Sequence, residues 1–326
     1  MDQRQRTLIE RSRQRRQRRS GASWLPLLLG LGLLAMCLGF ALLAGLWGAT
    51  QALEQPAAGG GLPAGQPLSI LLLGVDRRAD ESGPTRSDSM ILLGSQPDGQ
   101  GAALLSIPRD LWVDIPSVGE QRINTALFFG HEAADAGAGP RLAVRTVQQA
   151  LGRPVDRYLL LDFATFVAAV DVLGGVEIDV PAPIVDTEYP TPDYGITTVR
   201  FEPGVQTMDG ERALTYVRTR HSDGDFSRSM RQLQLLQALA GRAVQPQTWP
   251  RLPELLRVLR AGVITDLTPG DGLALLPLAA ALASGEVKAA TLEQATMPWT
   301  TPAGAWVLLP NAAAVEQIVA ELFGPE

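Results

Sequence analysis

From residue 69 onward, short apolar runs alternate with longer segments whose apolar positions recur at helical spacing. Ser69–Val75 (SILLLGV) is apolar almost throughout and ends in Gly and Val before Asp76, the profile of a buried strand. Met90–Ser95 and Ala102–Ile107 repeat that profile on either side of a PDGQG turn. Helices are predicted over Asn124–Ala134 and Arg141–Leu151. A strand at Arg157–Asp162, a helix at Phe163–Leu173 and a strand at Val176–Val180 follow, with Gly174 and Gly175 as the helix stop. Pro181–Val199, rich in Pro, Tyr, Asp and Thr, reads as an excursion of loop and hairpin, and Asp209–Thr219 and Ser227–Val244 as helices. Further on, helices near Leu252–Ala261 and Gly270–Ala283 alternate with strands near Thr291–Met297 and Trp306–Leu309, before a helix at Ala312–Leu322. Strands and helices interleaved in this order predict an α/β fold: a three-layer α/β/α sandwich with a mixed central sheet.

The pattern ahead of this domain is different. Trp24–Trp47 holds no charged residue and is rich in Leu, Gly and Ala, which suits the roughly 20 residues a membrane-spanning helix needs. Eight arginines against Asp2 and Glu10 give residues 1–20 a charge of +6, so a net charge of -6 leaves -12 for the rest of the chain. A basic tip on an acidic body argues against a nucleic-acid binder, whose positive surface lies on the folded domain. By the positive-inside rule the N-terminus is cytoplasmic and everything after about residue 50 lies outside. The apolar run exceeds the about 7–15 residues usual for a cleaved signal peptide, so an uncleaved signal-anchor is expected. The expected organisation is a basic cytoplasmic tail (1–22), a single N-terminal transmembrane helix (23–50), a flexible linker (51–67) around PAAGGGLPAGQP, and an extracellular or periplasmic domain over 68–326. The one cysteine, Cys37, falls in the span, so a disulfide within the chain is impossible.

Candidate chemistry gathers where strands end, the place open α/β sheets give to ligands. GVDRR supplies Asp76 and Arg78, TRSDS supplies Arg86 and Asp88, and SIPRD supplies Arg109 and Asp110. Asp76 and Asp88 at neighbouring strand ends can share a hard cation, since Mg2+ is commonly held by one or two carboxylates together with phosphate oxygens. The plainer reading has both aspartates capping turns and pairing with Arg78 and Arg86. A second cluster, Tyr216–Gln232 (YVRTRHSDGDFSRSMRQ), brings Arg218, Arg220, Arg228 and Arg231 around an acidic glycine turn. Converging guanidinium forks bind phosphate oxygens in bidentate fashion, whereas a charge run taken alone is more often a solvated helix face.

Taken together the motifs are more specific. GVDRR, TRSDSMIL, LLSIPRDLWVDIP, RINTAL, LDFATFVAAVDVLGGVEIDVP, GVQTMDGERALTYVRTR and DGDFSRSMRQ, spread over about residues 70–240, resemble in order and spacing the LytR-CpsA-Psr family. The resemblance implies a Mg2+-dependent phosphotransferase that moves a glycopolymer from a polyprenyl-pyrophosphate carrier to a hydroxyl of peptidoglycan or another envelope acceptor. It implies metal binding by Asp76 and Asp88. Pyrophosphate binding falls to Arg86, Arg109, Arg218, Arg220 and Arg228, with Arg78 and Arg231 nearby, and Asp225 and Gln232 support the cluster. Arg122 stands where the family usually has Lys. His221 reads as a solvated loop histidine before a proton carrier. Asp110 and Asp225 are the carboxylates available to an attacking hydroxyl, but a loose phosphoryl transition state asks little of a base. Leu127, Phe128, Phe129, Phe163, Phe166 and Val167 would suit a lipid slot, although such residues are more often ordinary core. Two other classes stay open: a polyprenyl-pyrophosphate phosphatase, with water as acceptor, and a non-catalytic scaffold gripping an anionic envelope polymer.

Overall fold

The apolar runs pair into one sheet because each is apolar on both faces, so neither side tolerates water. The computed structural model describes residues 68–77, 83–99, 101–191, 195–219, 224–268 and 271–325, the side chains of Asp225 and Leu273 apart. The basic tail, the Trp24–Trp47 span, the linker, Arg78, Arg220, His221 and the Asp225 side chain lie outside these residues. Among the described residues no helix is long and apolar enough to cross a membrane.

Strand β1 (Ser69–Val75) is followed by β2 (Ser89–Ser95) and β3 (Ala102–Ser106). A hairpin of β4 (Trp112–Ile115) and β5 (Gly119–Arg122) leads to the short α1 (Ala126–Phe129) and to α2 (Ala138–Leu151). Next come β6 (Arg157–Asp162), α3 (Phe163–Leu173), β7 (Val176–Val180), β8 (Ile184–Pro190), β9 (Ile196–Phe201) and β10 (Gly204–Met208). Then α4 (Gly210–Arg218), α5 (Gly224–Ala243), α6 (Leu252–Gly262), β11 (Val263–Thr265) and α7 (Gly272–Ser284) follow. The last elements are β12 (Val287–Thr291), β13 (Thr296–Thr300), β14 (Trp306–Pro310) and α8 (Ala312–Phe323).

The main sheet runs β11-β6-β1-β2-β3-β12. β1 is antiparallel to β2 and parallel to β6, and β3 is parallel to β12, so the sheet is mixed as expected. Alternate residues divide between two cores. Leu71, Leu73, Val75, Leu92 and Leu105 pack with α2 and α8, while Ile70, Ile91, Leu93 and Leu104 pack with α5 and α7. Each such leucine taken fully out of water contributes about 1.5–3 kcal/mol, which makes helices on both faces the stable arrangement. A third core joins α3, β7, β9, β10, α4 and α5 around Phe201 and the fully buried Tyr216, whose rings meet edge to face at 5.2 Å.

Two predicted elements differ. The helix expected over Asn124–Ala134 is a 3-10 turn at Ile123–Thr125 followed by α1, which stops at Gly130. A Cβ on Gly130 would come within 2.9 Å of the Gly139 Cα, so the turn out of α1 is set by the close approach of α2. The strand expected over Thr291–Met297 is broken by a 3-10 turn at Leu292–Ala295, which folds the buried Leu292 and Ala295 into the core. β4, β5, β10 and β11 are short strands that the apolar pattern does not announce.

At the sheet edge where β1 and β6 begin, Arg157 forms a two-pronged pair with the fully buried Asp271, at 2.9 and 3.0 Å. Nearby, Asp266 accepts the Tyr158 N–H at 2.8 Å, and burial pushes its carboxyl above the ordinary 3.8. The folded state therefore holds this proton to higher pH than the unfolded chain, so the Asp266 contribution is fully present below 3.8 and is lost as pH rises through the folded value. Asp266→Asn, which keeps an acceptor oxygen, is expected to gain stability relative to the parent at neutral pH and to lose that advantage in acid. Thermal melts of both proteins across that range check it, and a pH-independent difference would refute it.

Candidate functional site

The opposite edge of the sheet collects the polar residues. Gly74 pairs with Ser89, so the antiparallel register brings Asp76, just past β1, beside Asp88, just before β2. The Asp88 N–H donates to the Gly74 carbonyl at 2.8 Å and holds the two ends together. β3 ends at the same edge, because Ile91 pairs with Ser106, and Pro108-Arg109-Asp110 follows. β6 ends there too, since Val75 pairs with Asp162, which caps α3 by accepting the Thr165 N–H at 2.7 Å.

Both aspartates are paired with arginines from a distance. Arg109 Nη1 lies 2.8 Å from Asp88 Oδ1, and Arg218 Nη2 lies 3.0 Å from Asp76 Oδ2. These partners differ from the Arg78 and Arg86 of the plainer reading. Both carboxylate side chains are 37% exposed, and among the described residues neither makes a second ion pair. Exposed pairs of this kind add about 0–1 kcal/mol to stability, so the arrangement serves the site more than the fold. The Arg218 guanidinium also lies 4.9 Å from the Phe163 ring centre and 5.9 Å from that of Tyr189, which fixes its plane.

The other expected residues divide. Arg86 is exposed, 6.0 Å from the ring centre of Phe128. Arg228 is half-buried on the first turns of α5. Gln232 accepts the Ser89 hydroxyl at 3.1 Å, joining α5 to the sheet edge. Arg231 is buried, and its guanidinium donates to the Thr219 carbonyl at the end of α4. It braces the backbone that carries Arg218. Asp110 sits between Arg122 at 3.1 Å and Arg109 at 3.6 Å. Of the apolar candidates, Leu127 is core, whereas Phe128 and Phe129 are 38% and 45% exposed with their rings edge to face. Residues that motif reading did not single out complete the site: Ser89, Tyr189, and the buried pair Ser87 and Asn124. Among the described residues Ser87 Oγ and Asn124 Oδ1 have no hydrogen-bond partner, although the Ser87 N–H donates to the Asn124 carbonyl at 3.3 Å.

The placement of Arg218 depends on how tightly α4 approaches α3. The Asp209 carboxylate caps α4 by accepting the Arg212 N–H at 2.9 Å, and Asp171 accepts the Gly210 N–H at 2.8 Å. A Cβ on Gly210 would stand 2.3 Å from the Val167 carbonyl oxygen, so only glycine fits. Gly210→Ala is expected to destabilise the fold by about 1–3 kcal/mol, the range for overpacking. A urea midpoint equal to that of the parent would contradict this.

The profile of the LytR_cpsA_psr family matches residues 51–323. TagU of Oceanobacillus iheyensis, a polyisoprenyl-teichoic acid–peptidoglycan teichoic acid transferase, is 36% identical over 202 residues, 61% of this chain and 59% of its own. TagT of Bacillus subtilis, which carries the same transferase name, is 32% identical over 228 residues, 69% of this chain and 67% of its own. The solved structure of TagT bound to LIIa-WTA superposes with a TM-score of 0.60 at 26% identity, covering 81% of this chain and 92% of that one. The chain thus spans about three fifths of the length of the TagU relative it matches.

Proposed function

Because the chain belongs to the LytR_cpsA_psr family, matched over residues 51–323, we propose that it is a Mg2+-dependent phosphotransferase. The reaction moves a glycopolymer from a polyprenyl-pyrophosphate carrier to a hydroxyl of peptidoglycan or of another cell-envelope acceptor. The observation that carries this reading is the double pairing at one sheet edge, Asp76 with Arg218 and Asp88 with Arg109. A surface that only grips a polyanion has no use for carboxylates beside its arginines. The names of TagU and TagT, and TagT with LIIa-WTA bound, support the same class.

The residues present fit the metal. Among the described residues Asp76 and Asp88 each keep an oxygen free of ion pairs and the side-chain oxygens of Ser87 and Asn124 have no partner; these two residues adjoin Asp88 and Arg109 in the chain and in the backbone pairing. Hard oxygen donors of this kind suit Mg2+, which asks for few carboxylates and keeps water. Bound by Asp76 and Asp88, Mg2+ would neutralise charge on non-bridging phosphate oxygens.

In this reading Arg109 and Arg218 direct planar forks at the same oxygens and stabilise the departing polyprenyl phosphate, and the family resemblance adds Arg86, Arg228, Arg78 and Arg220 to that role. Asp76, Asp88 and the Phe163 ring hold those forks in orientation before substrate arrives. The exposed Phe128 and Phe129 beside Arg86 offer apolar surface to the carrier chain. In the same reading Trp24–Trp47 anchors the chain in the cytoplasmic membrane with the domain outside. Full-length protein given labelled lipid-linked glycan and peptidoglycan is expected to label the wall and release polyprenyl phosphate only when Mg2+ is present. Label freed into solution instead means hydrolysis, and no release under either condition overturns the phosphotransfer reading.

A further inference from the structure

Two of the chain's six tryptophans, Trp112 and Trp299, meet beside the arginine site although they come from two separate hairpins. The rings of Trp112 and Trp299 meet edge to face at 6.5 Å, and Trp299 is 39% exposed. Met297, on the same strand face as Trp299, is 58% exposed. The patch is tied directly to the site. Arg122, opposite Trp112 in the β4–β5 pair, contacts Asp110 and donates to the Trp306 carbonyl at 2.7 Å, while the Leu308 N–H donates to the Asp110 carbonyl at 3.0 Å. Beside the Trp112 indole opens a cleft of about 260 Å3 walled by Trp112, Leu292 and Pro310, with Asp114, Glu120 and Gln149 as its polar lining. Gln149 Nε2 donates to Asp114 Oδ2 at 3.0 Å and orients both groups.

An indole face beside carboxylate and amide groups matches a pyranose, which presents C–H bonds on its faces and hydroxyls around its rim. The cleft falls just below the roughly 300–1,000 Å3 of pockets for drug-sized ligands, a scale that suits a single sugar unit. The charge of the patch narrows the ligand. Asp110, Asp114 and Glu120 outnumber Arg122, which disfavours both an anionic lipid surface and an anionic polymer. We propose that this face is the acceptor subsite, where a neutral N-acetylhexosamine chain stacks on Trp112 and Trp299 with a hydroxyl directed toward Arg109. The proposal rests on the phosphotransfer reading, but its test uses no donor lipid, so the two succeed or fail separately.

Calorimetric titration of the full chain in detergent with the N-acetylglucosamine tetramer is expected to show binding. Trp299→Ala or Trp112→Ala weakens it about tenfold or more, and Trp299→Phe restores part of the loss. Trp299→Ala, at a position 39% exposed, provides a variant that leaves the core untouched, and Trp306→Ala, on the other face of the same hairpin, is expected to bind as the parent does. In nanodiscs of brominated phosphatidylcholine, quenching of tryptophan fluorescence is expected to be the same with and without Trp112 and Trp299. Tetramer affinity unchanged in both Trp112→Ala and Trp299→Ala, no tetramer binding by the parent protein, or quenching that falls when these indoles are removed, which would mark a membrane-facing patch, each overturns the assignment.

Discussion

Arg109→Ala is expected to lower Mg2+-dependent release of polyprenyl phosphate from lipid-linked glycan by about 10³-fold or more, while the melting temperature barely moves. A well-placed arginine acting on a phosphoryl transition state contributes 10³–10⁵ in rate where it has been measured in other enzymes, and one preorganised donor about 10²–10³. Arg109 also holds Asp88 at 2.8 Å, so its removal disorders a proposed metal ligand together with the charge. Its side chain is 27% exposed and its partner 37%, too open for the pair to carry much folding energy. Asp76→Ala is expected to behave alike, because it frees Arg218 as well as removing a proposed metal ligand. Arg109→Lys keeps the charge without the fork and is expected to recover only a fraction of the rate. Release assays and thermal melts on the same preparations decide the matter; undiminished turnover in both alanine variants would remove the enzyme reading altogether.

The largest effect on stability lies at the far edge of the sheet. Asp271→Ala is expected to remove about 3–5 kcal/mol, since it leaves the Arg157 guanidinium, 14% exposed, without its carboxylate in a dry environment. Asp271 further accepts the Thr268 N–H at 2.7 Å and the Thr268 hydroxyl at 2.9 Å, so the loop ahead of α7 loses its anchor in the same step. The double variant Arg157→Met/Asp271→Leu is expected to be more stable than Asp271→Ala, because it removes the stranded charge and refills the space. Urea unfolding of the three proteins measures this, and a loss below about 1 kcal/mol for Asp271→Ala would show that water reaches the pair.

Legibility in the sequence followed the range of the interactions involved. β1, β6, α3 and β7 carry the predicted bounds because an unbroken apolar run, a capping Asp162 and the Gly174–Gly175 stop are local signals. The aspartates and arginines of the site were legible as residue types near strand ends. Their pairing was not, because it depends on the register of β1 with β2 and on how α4 meets α3. Arg231 illustrates the limit: in a run of arginines nothing distinguishes one that faces inward from one that faces solvent, and only the neighbouring Tyr216 and the Thr219 carbonyl reveal the difference. α1 fell short of its predicted length for a similar reason, since the neighbour that stops it at Gly130 is Gly139 on the next helix. The β4–β5 hairpin is not legible because Trp112–Ile115 is short and half exposed, and neither is the tryptophan face it helps to build.

The contacts that close the site span 142 residues between Arg218 and Asp76 and 143 between Gln232 and Ser89. During synthesis β1, β2 and β3 emerge first and can pair as a meander, leaving both aspartates at a ribbon edge without the arginine and glutamine that α4 and α5 bring. Closing a loop of that length gains nothing until the third core has packed, so these are late events on the way to the native state. A partly made or misfolded chain thus holds the acidic half of the site without the clamp on Asp76. On the proposed function, competence to act on a lipid carrier would then arrive together with completion of the fold.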